Sequence, residues 1–449
     1  MNRNRTIIKG AFILTVTGFA TRIIGFFYRI FLSQTFGEEG VGIYQLAFPV
    51  FALGFSLTAA GIETAISRNV ASKTSLGRSS DARITLYVGC GLSIFASFLV
   101  MLIVQENAGF IASSLLQEPR CEELLIILSY AFPFASLHSC ICGYYLGLKQ
   151  TKVPAISQII EQIVRVASVF LLYYLTAGHF QVPNIIVAMA GLFFGEFASS
   201  VFCFYVFRKQ SRFDGPAEKT LPVCFAALKE LLSHSVPLTC NRVLLNILQS
   251  IESVSIPLQL QVFGFSISQS LSIYGVLTGM ALPCILFPSA ITNSIASMML
   301  PTIAEIQATD NTKVMFRLIK KVVFCCFSLG LLCCIGLIVF GSFIGEFLFH
   351  SEMAGEFIIT LAWMCPFLYT NGNLISTING LGLTLQSFLF NTLGLAIRIA
   401  SVFYLIPLLG IRGYLIGLLI SQLAIFLLCC GFLYIYLHIY LQKRFSRIA

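Results

Sequence analysis

Residues 165–170 have the sequence Arg-Val-Ala-Ser-Val-Phe, and residues 398–403 repeat it as Arg-Ile-Ala-Ser-Val-Phe, 233 positions further along the chain. The same shift aligns Gly-Leu-Lys-Gln-Thr at 147–151 with Gly-Leu-Gly-Leu-Thr at 380–384. A shift of 230 aligns Ser67 with Ser297 near the start of each half. Self-similarity at a nearly fixed spacing indicates an internal structural repeat. We therefore expect two related halves.

The composition around these repeats excludes a water-soluble fold. Of the 449 residues, 57% are hydrophobic and only 10% are charged, and the mean hydropathy is +0.89; an ordinary soluble domain has about 25% charged residues. The apolar stretches are long enough to cross roughly 30 Å of hydrocarbon as helices. We predict an all-α polytopic membrane protein with about twelve transmembrane helices. The predicted spans are Ile7–Leu32, Val41–Ile66, Ile84–Val104, Leu124–Leu146, Val153–Leu175, Asn184–Phe207, Leu231–Ile256, Leu271–Leu300, Val322–Phe343, Phe357–Ile378, Leu385–Ile406 and Gly413–Leu437.

Twelve helices and the repeat together predict two six-helix lobes around a central cavity. Because six is an even number, both halves enter the membrane from the same side and are parallel repeats, as in some alternating-access transporters. The predicted parts are an N-terminal lobe at 1–207, a basic cytoplasmic linker at 208–230 and a C-terminal lobe at 231–449.

The distribution of Lys and Arg predicts the orientation. With the N-terminus inside, 21 of the 28 basic residues fall in cytoplasmic segments and only Arg120 and Arg412 lie outside. Positive loops stay in the cytoplasm, so we expect both termini on the cytoplasmic side of a bacterial plasma membrane. The net charge of +9 is dispersed among loops, which argues against nucleic acid as a partner because that needs one basic surface.

No enzyme motif is present in the sequence, and we expect neither an enzyme nor catalytic residues. There is no G-x-S-x-G, P-loop lysine motif or H-E-x-x-H, and the five histidines are widely scattered. The fifteen cysteines contain no C-x-x-C and mostly lie in apolar runs. We interpret them as small hydrophobic residues, with no metal site and no cofactor. Without an ATP site, an Na⁺ or H⁺ gradient is the expected energy source.

Arginines within the first helix are the strongest candidates for substrate binding. Gly18, Arg22, Gly25 and Arg29 follow one another at spacings of four, three and four, so they share one helical face. Arginine offers a planar, multidentate donor that suits phosphate. Alternatively, Arg29 has no role in binding and its side chain snorkels to the outer interface. Arg22 is too central in the predicted span to do so easily.

Comparison of the two repeats distinguishes the expected roles of two further arginines, Arg165 and Arg398. Glu161 and Arg165, one helical turn apart, can neutralise each other as a structural pair. The repeat mate Arg398 has Gly394 where Arg165 has Glu161. Arg398 is therefore the better candidate for an anion site.

Four other ionisable residues lie at predicted membrane depth, namely Glu63, Glu196, Arg242 and Glu252. Arg242 and Glu252 are roughly 15 Å apart along one helix, so they cannot pair within it, and we expect Arg242 to face the cavity. Glu63 and Glu252 are candidates for coupling or charge relay, although Glu63 could equally cap a helix or pair with an arginine. For Glu196 we favour a hydrogen bond between helices over ion binding.

Several segments together resemble a known family. They are Arg-Ile-Ile-Gly-Phe-Phe-Tyr-Arg-Ile at 22–30, Gly-Val-Gly-Ile-Tyr at 40–44, Gly-Ile-Glu-Thr-Ala-Ile-Ser-Arg at 61–68, Gly-Leu-Lys-Gln-Thr at 147–151 and Tyr-Gly-Val-Leu-Thr-Gly-Met-Ala-Leu-Pro at 274–283. In combination, and over most of the chain, this sequence resembles the stage V sporulation protein B group of polysaccharide transporters.

That group belongs to the multidrug, oligosaccharidyl-lipid and polysaccharide exporter superfamily, which includes the lipid II flippases. The resemblance implies two six-helix lobes around a V-shaped cavity, and movement of an undecaprenyl-diphosphate-linked saccharide from the cytoplasmic to the outer leaflet. In lipid II flippases, arginines of the first helix line the cavity, which by position implies Arg22 and Arg29 here. Those flippases have fourteen helices, whereas we predict twelve.

We accordingly predict a lipid-linked oligosaccharide flippase whose partners are its lipid-linked substrate and membrane lipids. Arg22, Arg242 and Arg398 would hold the diphosphate. The sequence predicts neither the saccharide, which could be a peptidoglycan or other polysaccharide precursor, nor an oligomeric state. One alternative is a cation-coupled multidrug exporter on the same scaffold, which would need an acidic, aromatic-lined cavity. An intramembrane enzyme or a scaffold of a sporulation or wall-synthesis complex is a further alternative.

Overall fold

A computed structural model describes residues 2–177, 185–211, 221–308 and 312–448. These residues form helices and no strand. The α-helices, numbered in chain order, are α1 Asn2–Phe55, α2 Gly61–Ser75, α3 Ser79–Glu106, α4 Ala108–Phe110, α5 Cys121–Ser129, α6 Ala131–Gly147, α7 Lys152–Ala177, α8 Ile186–Ser211, α9 Leu221–Phe263, α10 Ile267–Gly275, α11 Leu282–Leu286, α12 Ser289–Ala308, α13 Thr312–Phe349, α14 Glu352–Ala362, α15 Cys365–Gly380, α16 Thr384–Tyr404, α17 Ile406–Leu409 and α18 Ile411–Ile448. Short π-helical turns occupy Ser56–Ala60, Ile111–Leu115 and Val276–Ala281.

The described residues contain nine helices long and apolar enough to cross a membrane, or up to eleven if each of two bent pairs is one span. One of the nine, Phe12–Ser75, includes most of the first predicted span and all of the second. Gly37 separates these two spans with φ 71° and ψ 178°, a backbone conformation that favours glycine. The prediction of an all-α polytopic membrane protein is confirmed, and the structure accommodates about twelve spans.

Two bends lie at equivalent places of the repeat. Helices α5 and α6 meet at 41° next to Tyr130, and α14 and α15 meet at 56° next to Trp363, 233 residues further along. Another break lies at Pro288, between α11 and α12. Proline cannot donate the helical hydrogen bond and its ring clashes with the preceding turn.

The turns after α6 and α15 share one hydrogen-bond pattern, which supports the repeat. Lys149 N–H donates to the Leu146 carbonyl at 2.9 Å, and Gly382 N–H donates to the Asn379 carbonyl at 3.0 Å. Lys149 and Gly382 both have positive φ, 62° and 80°. Such a left-handed residue commonly ends a helix. The repeat therefore extends from the sequence to the backbone.

Close helix packing also follows the repeat, and it corrects one alignment. A Cβ atom at Gly147 would lie 2.7 Å from the Ser67 carbonyl oxygen, and one at Gly380 would lie 2.7 Å from that of Leu300. Ser67 thus corresponds to Leu300 and not to Ser297. The two candidates differ by three residues, nearly one helical turn, so the shift of 230 also aligned residues on similar helix faces.

The chain divides into two compact units, Met1–Val254 and Ser255–Ala449. The core of unit 1 includes Ile66, Leu86, Tyr145 and Leu231. The core of unit 2 includes Ile303, Ile319, Ile378 and Cys429. The first part of α9 belongs to unit 1 and its end to unit 2.

The predicted lobes at 1–207 and 231–449 stay a prediction. Residues 212–220 of the predicted linker lie outside the described residues.

Candidate functional site

The residues on the glycine and arginine face of α1 differ in exposure. Arg22 is exposed and Arg29 is half-buried. Gly25 lies against α7, where a Cβ atom would be 3.4 Å from the Gln162 Nε2 atom, whereas the space around Gly18 is open. No hydrogen bond or ion pair joins Arg22 to another described residue. Its guanidinium is therefore available to an anionic ligand.

Polar side chains of α9 contact α2 and the end of α1. Arg242 donates a hydrogen bond to Thr64 Oγ1 at 3.2 Å, and Asn246 donates to the Ala52 carbonyl at 3.2 Å and to Ser56 Oγ. Nearer the start of α9, Glu230 forms an ion pair with Lys73 at 2.9 Å. Part of the polar surface of the seventh predicted span therefore faces α2 and the end of α1.

Glycine sets the close approach of α9 to α2. A Cβ atom at Gly61 would collide with the Thr239 side chain and would lie 3.0 Å from the Ser235 carbonyl oxygen. Glu63 follows on the same helix and is half-buried. Glu252, further along α9, is 5% exposed. The structure does not bring Glu63 and Glu252 together in any contact described here.

A buried polar cluster joins α6, α7 and α8 in unit 1. The His138 Nδ1 atom lies 3.3 Å from Glu196 Oε2 and 3.3 Å from Ser199 Oγ. Its Nε2 atom lies 3.0 Å from Ser157 Oγ. Helix α7 contributes the ion pair between Arg165 and Glu161.

Sequence reasoning foresaw the proximity of Glu161 and Arg165 but not the position of His138. The predicted interhelical hydrogen bond of Glu196 has His138 as its partner, and that histidine was one of five scattered in the sequence. The spacing of four between His138 and Cys142 places them on one face of α6. This spacing of His138 and Cys142 is not repeated in the second half of the sequence. It was the one feature of the sequence that could have indicated a polar cluster here.

Two sets of side chains in this cluster could hold a metal ion. One set is His138, Cys142 and Cys203, and the other is His138, Glu161 and Glu196. Within each set the ligand atoms lie within 4.8 Å of one another. The sequence predicted no metal site, because its cysteines contain no C-x-x-C and lie mostly in apolar runs. Ligands that come from separate helices leave no such motif.

In unit 2, Arg398 lies half-buried on α16. The adjacent turn contains Gly394, which packs against Ile425 of α18. Asn371 of α15 donates hydrogen bonds of 2.9 Å to both the side-chain and the backbone oxygen of Gln422 on α18. This polar link between α15 and α18 therefore joins two neutral side chains.

Each unit also has an open pocket. In unit 1, a cavity of about 580 Å³ includes Glu39 and Arg120, which form an ion pair at 2.7 Å. A hydrogen bond with Glu118 is the main factor that raises the pKa of the Arg120 guanidinium above its usual range, so this group stays charged. In unit 2, a groove of about 470 Å³ has an almost wholly apolar lining that includes Phe324 and Phe426, with Lys320 as its cation. Such a surface suits a hydrocarbon chain.

The helices, their apolar surfaces and their bends define a polytopic α-helical membrane protein. A solved multidrug resistance MATE family transporter of the MOP superfamily, in an inward-facing conformation, shares this fold with a TM-score of 0.72 at 14% identity. The match covers 94% of this chain and 96% of that chain. At this identity the likeness concerns the fold alone.

The sequence comparison shows the family. Residues 7–307 match the polysaccharide biosynthesis protein family, and the chain belongs to it. It is 26% identical to stage V sporulation protein B of Bacillus subtilis (strain 168) over 437 residues, which cover 94% of this chain and 83% of that protein. It is also 26% identical to the lipid II flippase MurJ of the same organism over 174 residues, covering 37% of this chain and 32% of that protein. The resemblance predicted from the sequence is confirmed.

Proposed function

We propose that this protein moves an undecaprenyl-diphosphate-linked saccharide from the cytoplasmic to the outer leaflet of a bacterial plasma membrane by alternating access. The saccharide would be a cell-wall, spore-cortex or polysaccharide precursor. Membership of the polysaccharide biosynthesis protein family and similarity to a sporulation protein and a lipid II flippase support this class of substrate.

The observation that carries the proposal is the exposed Arg22 in the middle of the first predicted span. A charged side chain at membrane depth costs several kcal/mol unless it is wet or paired. A diphosphate supplies a multivalent anion with oxygens in the geometry that a guanidinium binds bidentately. Arg29 on the same face and the exposed Arg242 on α9 are proposed further ligands in unit 1. Arg398 in unit 2 remains a prediction of the same kind.

We further propose that an Na⁺ or H⁺ gradient drives transport and that Glu63 and Glu252 exchange charge with it. Glu63 adjoins Thr64, the residue to which Arg242 donates. A carboxylate next to a substrate-binding arginine can respond to the charge that the substrate brings. Glu252 is buried on the helix that carries Arg242.

Reconstituted vesicles test the function directly. We expect the full chain to flip a defined undecaprenyl-diphosphate-linked disaccharide, and Arg22→Ala to slow the initial rate by about ten- to a hundredfold, since a charged hydrogen bond is worth about 1.5–3 kcal/mol. Arg22→Lys should also be slow, because it keeps the charge but loses the bidentate geometry. Arg68→Ala, at an exposed position in the middle of α2, is the matched control and should be unaffected.

Two results would replace this proposal. An unchanged rate in Arg22→Ala at equal protein level would remove Arg22 from the substrate site. Transport of a cationic dye without flipping of the lipid-linked disaccharide would identify the rival multidrug exporter.

The proposed orientation places both termini in the cytoplasm. In a variant without native cysteines, an impermeant reagent added outside should label cysteines introduced at Glu38 and Glu352 but not one at Lys209. Rapid external labelling at Lys209 would reverse the orientation.

A further inference from the structure

Four side chains that the proposed transport does not use converge in unit 1. His138 and Cys142 come from α6, Ser157 from α7 and Cys203 from α8. His138, Cys142, Ser157 and Cys203 are all buried, and each is less than 9% exposed. Three helices thus direct one imidazole, two thiols and one hydroxyl toward the same small volume.

The separations of these atoms match the edges of a tetrahedral metal site. The Cys142 and Cys203 Sγ atoms are 4.0 Å apart, Cys142 Sγ and Ser157 Oγ are 3.4 Å apart, and His138 Nε2 and Ser157 Oγ are 3.0 Å apart. Tetrahedral zinc, with Zn–S of about 2.3 Å and Zn–N of about 2.0–2.1 Å, separates its ligand atoms by roughly 3.3–3.8 Å. The separation of Cys142 Sγ from Ser157 Oγ already lies in that range, and shifts of a few tenths of an ångström would bring the other two into it.

The hydrogen bonds of Ser157 and His138 leave Ser157 Oγ and His138 Nε2 facing each other. Ser157 Oγ donates to the Pro154 carbonyl at 2.9 Å, so its lone pairs remain for another partner. His138 Nδ1 faces the Glu196 carboxylate, which leaves Nε2 directed at Ser157. A carboxylate behind the second ring nitrogen is the usual outer partner of a metal-bound histidine. Glu196 therefore has the position of a residue that orients the ligand.

The internal repeat shows that the fold does not require these residue types. The positions of unit 2 that match His138, Cys142 and Ser157 hold Asn371, Ile375 and Phe390. The turns after α6 and α15 have matching hydrogen bonds, and Gly147 and Gly380 make matching close contacts. Packing alone thus tolerates an amide, a branched hydrocarbon and an aromatic ring at the three places.

We propose that His138, Cys142 and Cys203, with Ser157 as the fourth ligand, form a structural site for a thiophilic divalent metal ion of the zinc type. Two thiolates neutralise the charge of the ion, so the site is neutral and can lie within the membrane region. Four protein ligands leave no open position, which distinguishes a structural from a catalytic site. The ion would tie α6, α7 and α8 together.

The position of the site allows the metal to reach it. Cys142 lies near the end of α6 at Gly147, and Ser157 lies near the start of α7 at Lys152. Five residues of helix span about 7.5 Å, so both ligands are close to the turn that joins the two helices. That turn is predicted to be cytoplasmic, and the reducing cytoplasm keeps thiols available for metal.

The test measures metal directly and needs no transport assay. The full chain, without a polyhistidine tag, is purified in detergent without chelator and analysed for bound zinc. We expect about one zinc ion per chain. Replacement of the metal by Co²⁺ should produce a thiolate-to-cobalt charge-transfer absorption band, and removal of the metal should lower the melting temperature.

Variants locate the ion. Cys142→Ser and Cys203→Ser should each lose the absorption band, and Glu196→Gln should weaken metal affinity by about 10- to 100-fold through the orientation of His138. Cys140→Ser is the matched control, because this buried thiol of the same helix faces the Gly89 carbonyl instead. The proposal is overturned if the wild-type chain binds no stoichiometric metal, if Cys140→Ser loses as much metal as Cys142→Ser, or if peptide mapping finds a disulfide between Cys142 and Cys203.

Discussion

The two units use one packing scheme with different chemistry at matching positions. In unit 1, His138 of α6 faces Glu196 of α8, whereas in unit 2 the polar link is formed by Asn371 of α15 and Gln422 of α18. The turns that follow α6 and α15 have the same hydrogen bonds. A polar link between helices is therefore common to both units, but it joins ionisable groups in unit 1 and neutral amides in unit 2.

The contrast extends along the repeat. Where unit 1 has Glu63 and Glu161, the residues 233 positions further along are Ala296 and Gly394. At Gly394 the space is taken by Ile425. Neutral or apolar residues thus occupy the matching positions of unit 2, so the repeated backbone arrangement by itself does not require a carboxylate at either place. Of the two carboxylates, Glu161 pairs with Arg165, and Glu63 has the coupling role proposed above.

The largest expected effect comes from breaking the link in each unit separately. His138→Leu leaves the buried Glu196 without its basic partner and should reduce the free energy of unfolding by about 3–5 kcal/mol. Asn371→Leu removes only neutral hydrogen bonds and should reduce it by about 1–3 kcal/mol. Denaturant unfolding of the purified variants in detergent micelles measures both values.

The combined variant His138→Asn with Glu196→Gln gives unit 1 the pair of unit 2. It should unfold at a higher denaturant concentration than His138→Leu. If all these variants lost the same free energy of unfolding, the ionisable character of the link in unit 1 would contribute nothing to its stability.

A smaller effect is expected from the repeat pair of arginines. Glu161→Gln leaves Arg165 without its carboxylate at membrane depth and should reduce the yield of folded protein, and Glu161→Gln with Arg165→Gln should partly restore it. Arg398→Gln should change folded yield less, because Gly394 shows that α16 packs without an acidic residue at this turn. Detergent-resistant folded protein and initial flipping rate are measured together for the three variants. A loss of yield in Arg398→Gln as large as that in Glu161→Gln would contradict the difference between the two helices.

The smallest effect is expected at the two matching turns. Lys149 and Gly382 both have positive φ, which costs a side-chain-bearing residue about 1–2 kcal/mol relative to glycine. Lys149→Gly should therefore stabilise the protein by about 1 kcal/mol, and Gly382→Lys should destabilise it by a similar amount. Thermal unfolding of the two variants provides the measurement. A change of the same sign in both would show that the turns are not equivalent.

The sequence was sufficient for some features of the site and insufficient for others. The pair of Glu161 and Arg165 is local, since residues one turn apart on a helix must be neighbours. The link between His138 and Glu196 joins residues 58 positions apart on two different helices, and no periodicity encodes such a contact. Likewise, Arg242 could be assigned to a polar face, but its partner Thr64 lies on α2.

Composition and repetition in the sequence by themselves determined the class of fold, because a bilayer requires long apolar helices whose backbone groups are satisfied internally. The repeat at 233 residues likewise determined that the two halves would have matching turns. Only the tertiary structure decided which helices approach closely enough for side chains to meet. Contacts such as that of Cys142 with Cys203 depend on the bends, the glycine contacts and the relative rotation of three helices, and these are set by the packing of the whole unit.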